Sequence, residues 1–591
     1  MPSIDGQQNA STEALPDPRR GDLEDDASST KSQSLLALAG TLFVEISLPR
    51  LVMAWLLLLV IPGLLLGIAP IAASVWVSTM AWKITYIAAE FGAALLLALV
   101  IGVGWFGWRP LFRMAESSFW SLNSLIIQPI YATFRELLRH LVESWLSKDM
   151  SMDRRASLRS VIAGVSGLAV SGLAVLAVLA VWPHTHLWGG MPDVGFQWQL
   201  VAVIFSNSVA LICAYLAVAS FLWGIADATM SQPRDLEKFH EPRDGDKTWR
   251  VAHLSDLHVV GERYGFRMES GRTGPQGNQR WMRVVERLAD IHATAPLDII
   301  LITGDMTDAG RSAEWAEFED ALAGYPQLAE RTLMLPGNHD VNIVDRANPA
   351  RLDLPTSPNR RLRLLRSIAA LARMQGGRVL VMGADRRGFD ATLSHALRPH
   401  LHSLTGFMTT GSPRLTRRLP NLWNEIFPMV LPPAAEDGLG IILLNSNAIT
   451  HFSFTNALGM ISAEQAYGID VAMARFPRAK WIVALHHHVV EYPRAAKALS
   501  ERIGTALING NWFARRLQRL AGRAVVMHGH RHIDWIGECA GIQVVSAPSP
   551  VMESGNGAAT YFYVHTLAAT ASGQLRLQRP EAVTVEGSKG A

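Results

Sequence analysis

Five short clusters of carboxylate, amide and imidazole residues follow one another along the C-terminal part of this 591-residue chain. They are Asp256-Leu257-His258, Gly304-Asp305, Gly337-Asn338-His339-Asp340, His486-His487-His488 and Gly529-His530-Arg531-His532. Side chains of these types ligate divalent cations. Two ions held ~3.5 to 4 Å apart draw their ligands from several loops, because no single helix or strand can surround both. A carboxylate has two oxygens and can span two cations, whereas an imidazole gives a metal only one nitrogen at a time. The chemistry open to such a pair of ions is hydrolysis.

Each cluster follows a short apolar run that reads as a buried strand: 251–254, 299–303, 332–335, 481–485 and 524–527. All five runs are aliphatic or β-branched and stop at Gly, Pro or a polar turn. The sequence therefore predicts an α/β sheet system with every ligand cluster at the carboxyl end of a strand. Helices should flank it: Trp281, Val284, Val285, Leu288 and Ile291 share one helical face, and Trp315, Phe318 and Leu322 another, with Ser312 as N-cap.

The five clusters, in this order, resemble the calcineurin-like metallophosphoesterases, and the resemblance spans roughly residues 248–570. The run Thr303 to Gly310 and the Asp at 340 are similar to the class III cyclic-nucleotide phosphodiesterases of bacteria. Ala309 and Asp340 stand where protein Ser/Thr phosphatases carry Arg and Glu, which argues against that branch. The resemblance implies a two-sheet sandwich holding two divalent ions, Mn, Fe or Zn. One would be bound by Asp256, His258, Asp305 and His532, the other by Asp305, Asn338, His486 and His530, with Asp305 bridging. It further implies a metal-bridging hydroxide as nucleophile and His339 as the acid for the leaving group, with Asp340 orienting the His339 ring. Where the family often shows His-His-Pro, this chain has His486-His487-His488-Val489, which leaves His487 as the alternative ligand to His486. His253, His488 and His528 read as packed or supporting residues.

The N-terminal part is a different material. The chain is 49% hydrophobic with positive mean hydropathy, and the excess lies before residue 225. Four runs, about 51–77, 84–105, 161–182 and 200–223, each reach the ~20 apolar residues that cross a bilayer, and Trp residues cluster near their ends. The loop 106–160 is rich in Lys and Arg while the 183–197 connection has neither, which predicts cytoplasmic termini and a cytoplasmic catalytic domain in a bacterial inner membrane. Two cysteines, Cys213 and Cys539, suggest no disulfide framework.

The expected organisation is a disordered tail (1–34), a four-helix membrane domain (35–224), a linker (225–247), the phosphoesterase domain (248–570) and a short tail (571–591). The 106–160 loop has helical amphipathic spacing and should pack on the catalytic domain or lie on the inner leaflet. An insert at 341–440 is rich in Arg, which would lie on the outer face of its helix, either clamping an anionic substrate or resting on anionic lipid, or as a solvated cap. The expected activity is hydrolysis of a phosphodiester such as a cyclic nucleotide, with a phosphate ester and the bilayer as partners and no nucleic-acid polymer. Two rivals are a phospholipid or nucleotide-lipid headgroup hydrolase, and a membrane signalling or scaffold protein that uses the fold for binding.

Overall fold

The computed structural model describes residues 56, 60–87, 102, 130–145, 152–188, 197–261, 276–344, 353, 358–383, 386–410, 419–450, 453–493, 507–552, 559–570 and 572–585. They form two compact units, divided in sequence between Met230 and Ser231.

The first unit is helical: α1 (Ile61–Ile87), α2 (Thr133–Trp145), α3 (Met152–Val181) and α4 (Gln197–Ala228). Among the described residues three segments are long and apolar enough to cross a membrane, Gly63–Lys83, Arg154–His184 and Trp198–Ala228. Helix α1 runs unbroken through 77–84, where the sequence reading expects a hairpin. Apolar side chains on both sides of the expected turn, and no Gly or Pro between Val77 and Ile84, leave the chain no local reason to stop. Most of the expected second span, 84–105, lies outside the described residues. Helices α3 and α4 touch at Gly167 and Gly224, where a Cβ on Gly167 would come within 2.6 Å of the Gly224 Cα, a distance that only glycine permits. Phe134 of α2, with Tyr131 just ahead of it, packs against Val170, Ala174 and Leu216 of α3 and α4. That part of the amphipathic loop is therefore covered by the helices of its own unit.

The second unit holds two sheets. The six-stranded one runs β14 (Leu575–Leu577), β13 (Thr560–Ala569), β2 (Lys247–Leu254), β3 (Ile299–Ile302), β4 (Thr332–Met334), with β15 (Glu581–Val585) also on β13. The nine-stranded one runs β1 (Arg234–Asp235), β11 (Trp535–Cys539), β12 (Ile542–Ser546), β10 (Ala524–His528), β9 (Lys480–Ala484), β8 (Leu439–Leu443), β7 (Met429–Leu431), β5 (Leu380–Met382), β6 (Phe389–Thr392). β2, β3 and β4 are mutually parallel, and so are β8, β9, β10 and β12, so each set delivers its motif loops at one end. Val251, Ile300 and Leu333 of one sheet and Ile441, Ile482 and Val525 of the other belong to one apolar core.

Helices α5 (Gln276–Thr294) and α6 (Ser312–Ala323) flank the core, with Trp281 stacked on Phe318 at 5.4 Å. Ser312 is the first residue of α6 and not its cap. The cap position is Arg311, and the Glu314 carboxylate satisfies the backbone N–H groups of Arg311 and Ala309 at 3.0 and 2.8 Å.

Two expected boundaries, those of the linker and of the tail, differ from the structure. The 225–247 linker contains β1, which pairs with β11, and α4 reaches Ala228 within it. The 571–591 tail contains β14 and β15. The 341–440 insert adds β5, β6 and β7 to the end of the large sheet. Its Arg residues are not all on an outer face either. On α7 (Pro358–Gln375) Arg363 and Arg366 are 3% and 1% exposed. Arg363 pairs with Asp353 and reaches the Val341 carbonyl, while Arg366 donates to the Gly310 carbonyl at 3.3 Å. A guanidinium has five donors to place, and the carbonyls of two motif loops need partners once buried, which draws these side chains inward.

Candidate metal centre

The strand ends bring the five motifs together through an unusual backbone. Asp256, His258, Asp305, His530 and His532 all have positive φ, at 56°, 44°, 53°, 78° and 51°. Among the described residues only Arg386 and Ala540 are other non-glycine examples. Side chains avoid this region at a cost of order 1–3 kcal/mol each, so it persists where the surroundings over-determine it, typically at functional sites. Two motif glycines show the crowding. A Cβ on Gly337 would lie 2.0 Å from Asp305 Oδ1, and one on Gly529 would lie 1.7 Å from Ser255 Oγ.

The seven expected ligands converge in two groups. Asp256, His258 and His532 place ligand atoms within 4.8 Å of one another, and so do Asp305, His486 and His530. In the first, His258 Nε2 lies 3.2 Å from His532 Nε2, and His532 Nε2 3.3 Å from Asp256 Oδ1. In the second, His486 Nε2 lies 3.0 Å from Asn338 Oδ1, 3.1 Å from His530 Nδ1 and 3.3 Å from Asp305 Oδ2. Asp305 Oδ2 is also 3.7 Å from His258 Nε2 of the first group, so one carboxylate oxygen stands between the two sets. Ring nitrogens facing each other at 3.1–3.2 Å cannot both carry hydrogen, and this crowd of lone pairs fits a pair of divalent cations.

The remaining nitrogens agree. His486 Nδ1 donates to the Thr303 carbonyl at 2.8 Å, which leaves Nε2 for a cation. His487 turns instead to Ser446 Oγ at 2.8 Å. His253 bonds Thr303 Oγ1, His528 faces the Gly529 carbonyl and His488 approaches Glu491, all outside the two groups.

The electrostatics favour ligation. Burial raises the Asp305 pKa, but the His486, His339 and His258 imidazoles outweigh it, so the carboxyl stays ionised well below its ordinary value. Asp256 is held at about 2 in the same way, burial being outweighed chiefly by His532. Burial and neighbouring imidazoles keep His258 neutral, down at about 3, and His530 neutral too. Ionised carboxylates and neutral imidazoles are the forms that bind metals. His486 is the exception: burial lowers it, but the Asp305 and Asp256 carboxylates carry it up to about 9, so it gives up a proton before its Nε2 can serve a metal.

His339 stands beside the first group, its ring 4.4 Å from that of His258. Its Nδ1 donates to the Asp308 carbonyl at 2.7 Å, which leaves Nε2 as the exchangeable position. Asp340 does not orient this ring. Its carboxylate accepts from Thr307 N and Oγ1 and from Gly337 N at 2.9, 2.7 and 2.8 Å, and so ties the Gly-Asp loop to the Asn-His-Asp turn. Two unsatisfied backbone donors at these turns take the carboxylate first. The orienting group is Asp308, which the sequence offers only as the Asp three residues after Asp305. Its carboxylate also faces His258 Nδ1 at 3.4 Å.

Residues 250–534 match the family described as calcineurin-like phosphoesterase. No curated protein matches the chain. Solved structures similar to it include the NAD nucleotidase of Haemophilus influenzae (11% identity, TM-score 0.29, covering 58% of this chain and 59% of that one). The 5'-nucleotidase of Candida albicans follows at 9% identity and TM-score 0.28, covering 60% and 54%. The purple acid phosphatase of yellow lupin, Lupinus luteus, shows 13% identity and TM-score 0.29, covering 57% and 52%. The chain thus spans little more than half the length of these proteins. The family match takes in the whole ligand constellation, including the His and Asp groups whose ligand atoms lie close enough together to hold metal ions.

Proposed function

We propose that the protein is a membrane-anchored phosphoesterase that hydrolyses a phosphodiester or related phosphate ester, a cyclic nucleotide or similar small substrate being the reading that the Thr303 to Gly310 motif favours. The observation that supports it most is Asp305 Oδ2 standing between His486 and His258, one from each ligand group. Asp256, His258, Asp305 and His532 would hold one ion and Asp305, Asn338, His486 and His530 the other. When bound, the two ions supply a nucleophilic water of lowered pKa and neutralise charge on the phosphate oxygens.

The chain's own groups do the rest. His339, 14% exposed at its side chain, keeps Nδ1 on the Asp308 carbonyl and holds a proton at Nε2 for the departing oxygen. Asp308 fixes the planes of both the His258 and His339 rings. Asp340 fixes the separation of the two loops that carry Asp305 and Asn338. Asp305 Oδ1 accepts the backbone N–H of His339 at 2.8 Å, so the bridging carboxylate and the acid are positioned by the same bond.

The three apolar helices support a second reading, a hydrolase of phospholipid or nucleotide-lipid headgroups in the same bilayer. We infer a cytoplasmic orientation in a bacterial inner membrane from the basic 106–160 loop. The test is the full-length protein in detergent with Mn²⁺, Fe²⁺ or Zn²⁺, offered cyclic nucleotides, linear diesters and extracted phospholipids. The first reading expects turnover of soluble diesters, the second turnover of lipid alone, and no turnover of any ester would refute both.

A further inference from the structure

The second unit carries a cleft of about 970 Å³ that the metal centre does not use. One wall is the 231–243 segment, the stretch that directly follows α4 in sequence. The other walls are the β11–β12 turn at Glu538 to Gly541 and the β13–β14 turn at Thr570 to Gln574. Strand register places it at the far end of both sheets from the metal loops. Gln543 at the start of β12 pairs with Val525, three residues before His528. Ala569 at the end of β13 pairs with Lys247, at the opposite end of β2 from Asp256. The length of β2, 8 residues, is roughly 26 Å at ~3.3 Å per residue.

The cleft is built and not draped. β1 pairs with β11 through Arg234 and Asp235. Leu236 N bonds the Ile536 carbonyl at 3.1 Å and His240 N the Leu577 carbonyl at 2.8 Å. Asp235 accepts from Trp535 Nε1 at 2.8 Å, and Cys539 Sγ contacts the Ser231 carbonyl at 3.1 Å. Leu236 and Phe239 pack against the core. A segment that served only as a tether would need none of these bonds, and a wall fixed in advance lowers the ordering cost of binding.

Its charge selects the ligand. Arg234 faces Glu538 across the β1–β11 ladder, and Asp235 is engaged by Trp535. Three further cations line the cleft: Lys238, Arg243 and Arg576. Among the described residues Lys238 and Arg243 make no side-chain ion pair, and Arg576 donates only to the neutral Gln574 amide at 2.7 Å, so its charge is uncompensated. Glu237 is the acid left among the lining residues, and Asp246, which accepts from the Arg243 backbone N–H at 3.2 Å, is paired with His240 at 2.7 Å. Guanidinium forks and an ammonium beside the Gln543 amide and the Ser572 hydroxyl are the donor set of a phosphate group.

We propose that this cleft binds a phosphate-bearing anion at a site separate from the metal centre, as an effector site in the segment that joins α4 to the catalytic fold. The phosphate could come from a soluble compound or from an anionic lipid headgroup, and the two sources separate by experiment. Full-length, metal-loaded protein in phosphatidylcholine nanodiscs would be followed by hydrogen exchange of the 231–243 and 570–576 peptides. Pyrophosphate is added in one arm, and phosphatidylglycerol replaces part of the lipid in the other. The proposal expects exchange to slow several-fold in at least one arm, and the slowing to vanish in Lys238→Gln/Arg243→Gln/Arg576→Gln, whose basal turnover stays unchanged. Pyrophosphate slowing assigns a soluble ligand, phosphatidylglycerol slowing a lipid one. No slowing in either arm, or slowing that survives the triple substitution, overturns the proposal and leaves the reading of the metal centre untouched.

Discussion

The carboxylate of Asp308 lies 3.4 Å from Nδ1 of His258, on the opposite side of the ring from Nε2, which faces His532. A carboxylate behind a metal-binding imidazole fixes its tautomer and raises its basicity, and losing one typically costs ~10- to 100-fold in metal affinity or activity. Asp308→Asn is therefore expected to weaken one ion by that factor while leaving the fold intact, since its backbone carbonyl still holds His339. Metal titration of the variant checks this, and unchanged affinity would remove Asp308 from the account.

Gly337 makes a sharper structural prediction. A Cβ there would lie 2.0 Å from Asp305 Oδ1, whereas Gly377 has nothing within 4 Å. Gly337→Ala should cost at least ~10²-fold in turnover by displacing the bridging carboxylate, because misplacement of about 1 Å is enough for that. Gly377→Ala should leave turnover as it is. Assays of the two purified variants side by side decide the matter.

Arg363 is expected to act on stability. Its partner Asp353 is 4% exposed, and removing one member of a buried ion pair costs about 3–5 kcal/mol because the other charge is stranded. Arg363→Met should lower the unfolding midpoint markedly, while Arg363→Met/Asp353→Leu should recover much of the loss. A raised KM with an unchanged melting curve would restore a substrate-clamping role.

His339→Ala should slow hydrolysis of alkyl or nucleoside esters by ~10²- to 10⁴-fold, the usual worth of general acid catalysis, and slow nitrophenyl esters much less, since nitrophenolate leaves without a proton. Metal content should be preserved. Equal losses on both ester types would mean that His339 positions phosphate instead.

Much of this site is legible in the sequence because each ligand sits at a strand end, where a short apolar run and a polar turn mark the place. Asp256, His258, Asp305, Asn338, His486, His530 and His532, the residues that the resemblance picks out, all stand on the loops and turns that follow those runs. The partners behind them are not so marked. Asp340 is next to His339 in sequence, yet backbone donors at Thr307 and Gly337 claim its carboxylate, and Asp308 takes the orienting role from another loop. Helical periodicity at Leu365, Ile368 and Leu371 locates α7, but it cannot tell that Arg363 and Arg366 turn inward, because that depends on which carbonyls the fold buries beside them. Edge strands as short as β1, 2 residues long, leave no periodic trace in a polar linker. In the helical unit, length and apolarity identify helices but not where one ends, and α1 outruns its expected turn.

The central claim is that Asp305 bridges two ions, and metal content measures it most directly. Purified wild-type protein is predicted to carry two divalent ions per chain, Asn338→Ala to lose mainly one, and Asp305→Asn to lose affinity at both positions together with all turnover. Two tightly bound ions surviving in Asp305→Asn, or a wild-type protein that saturates with one, would contradict it.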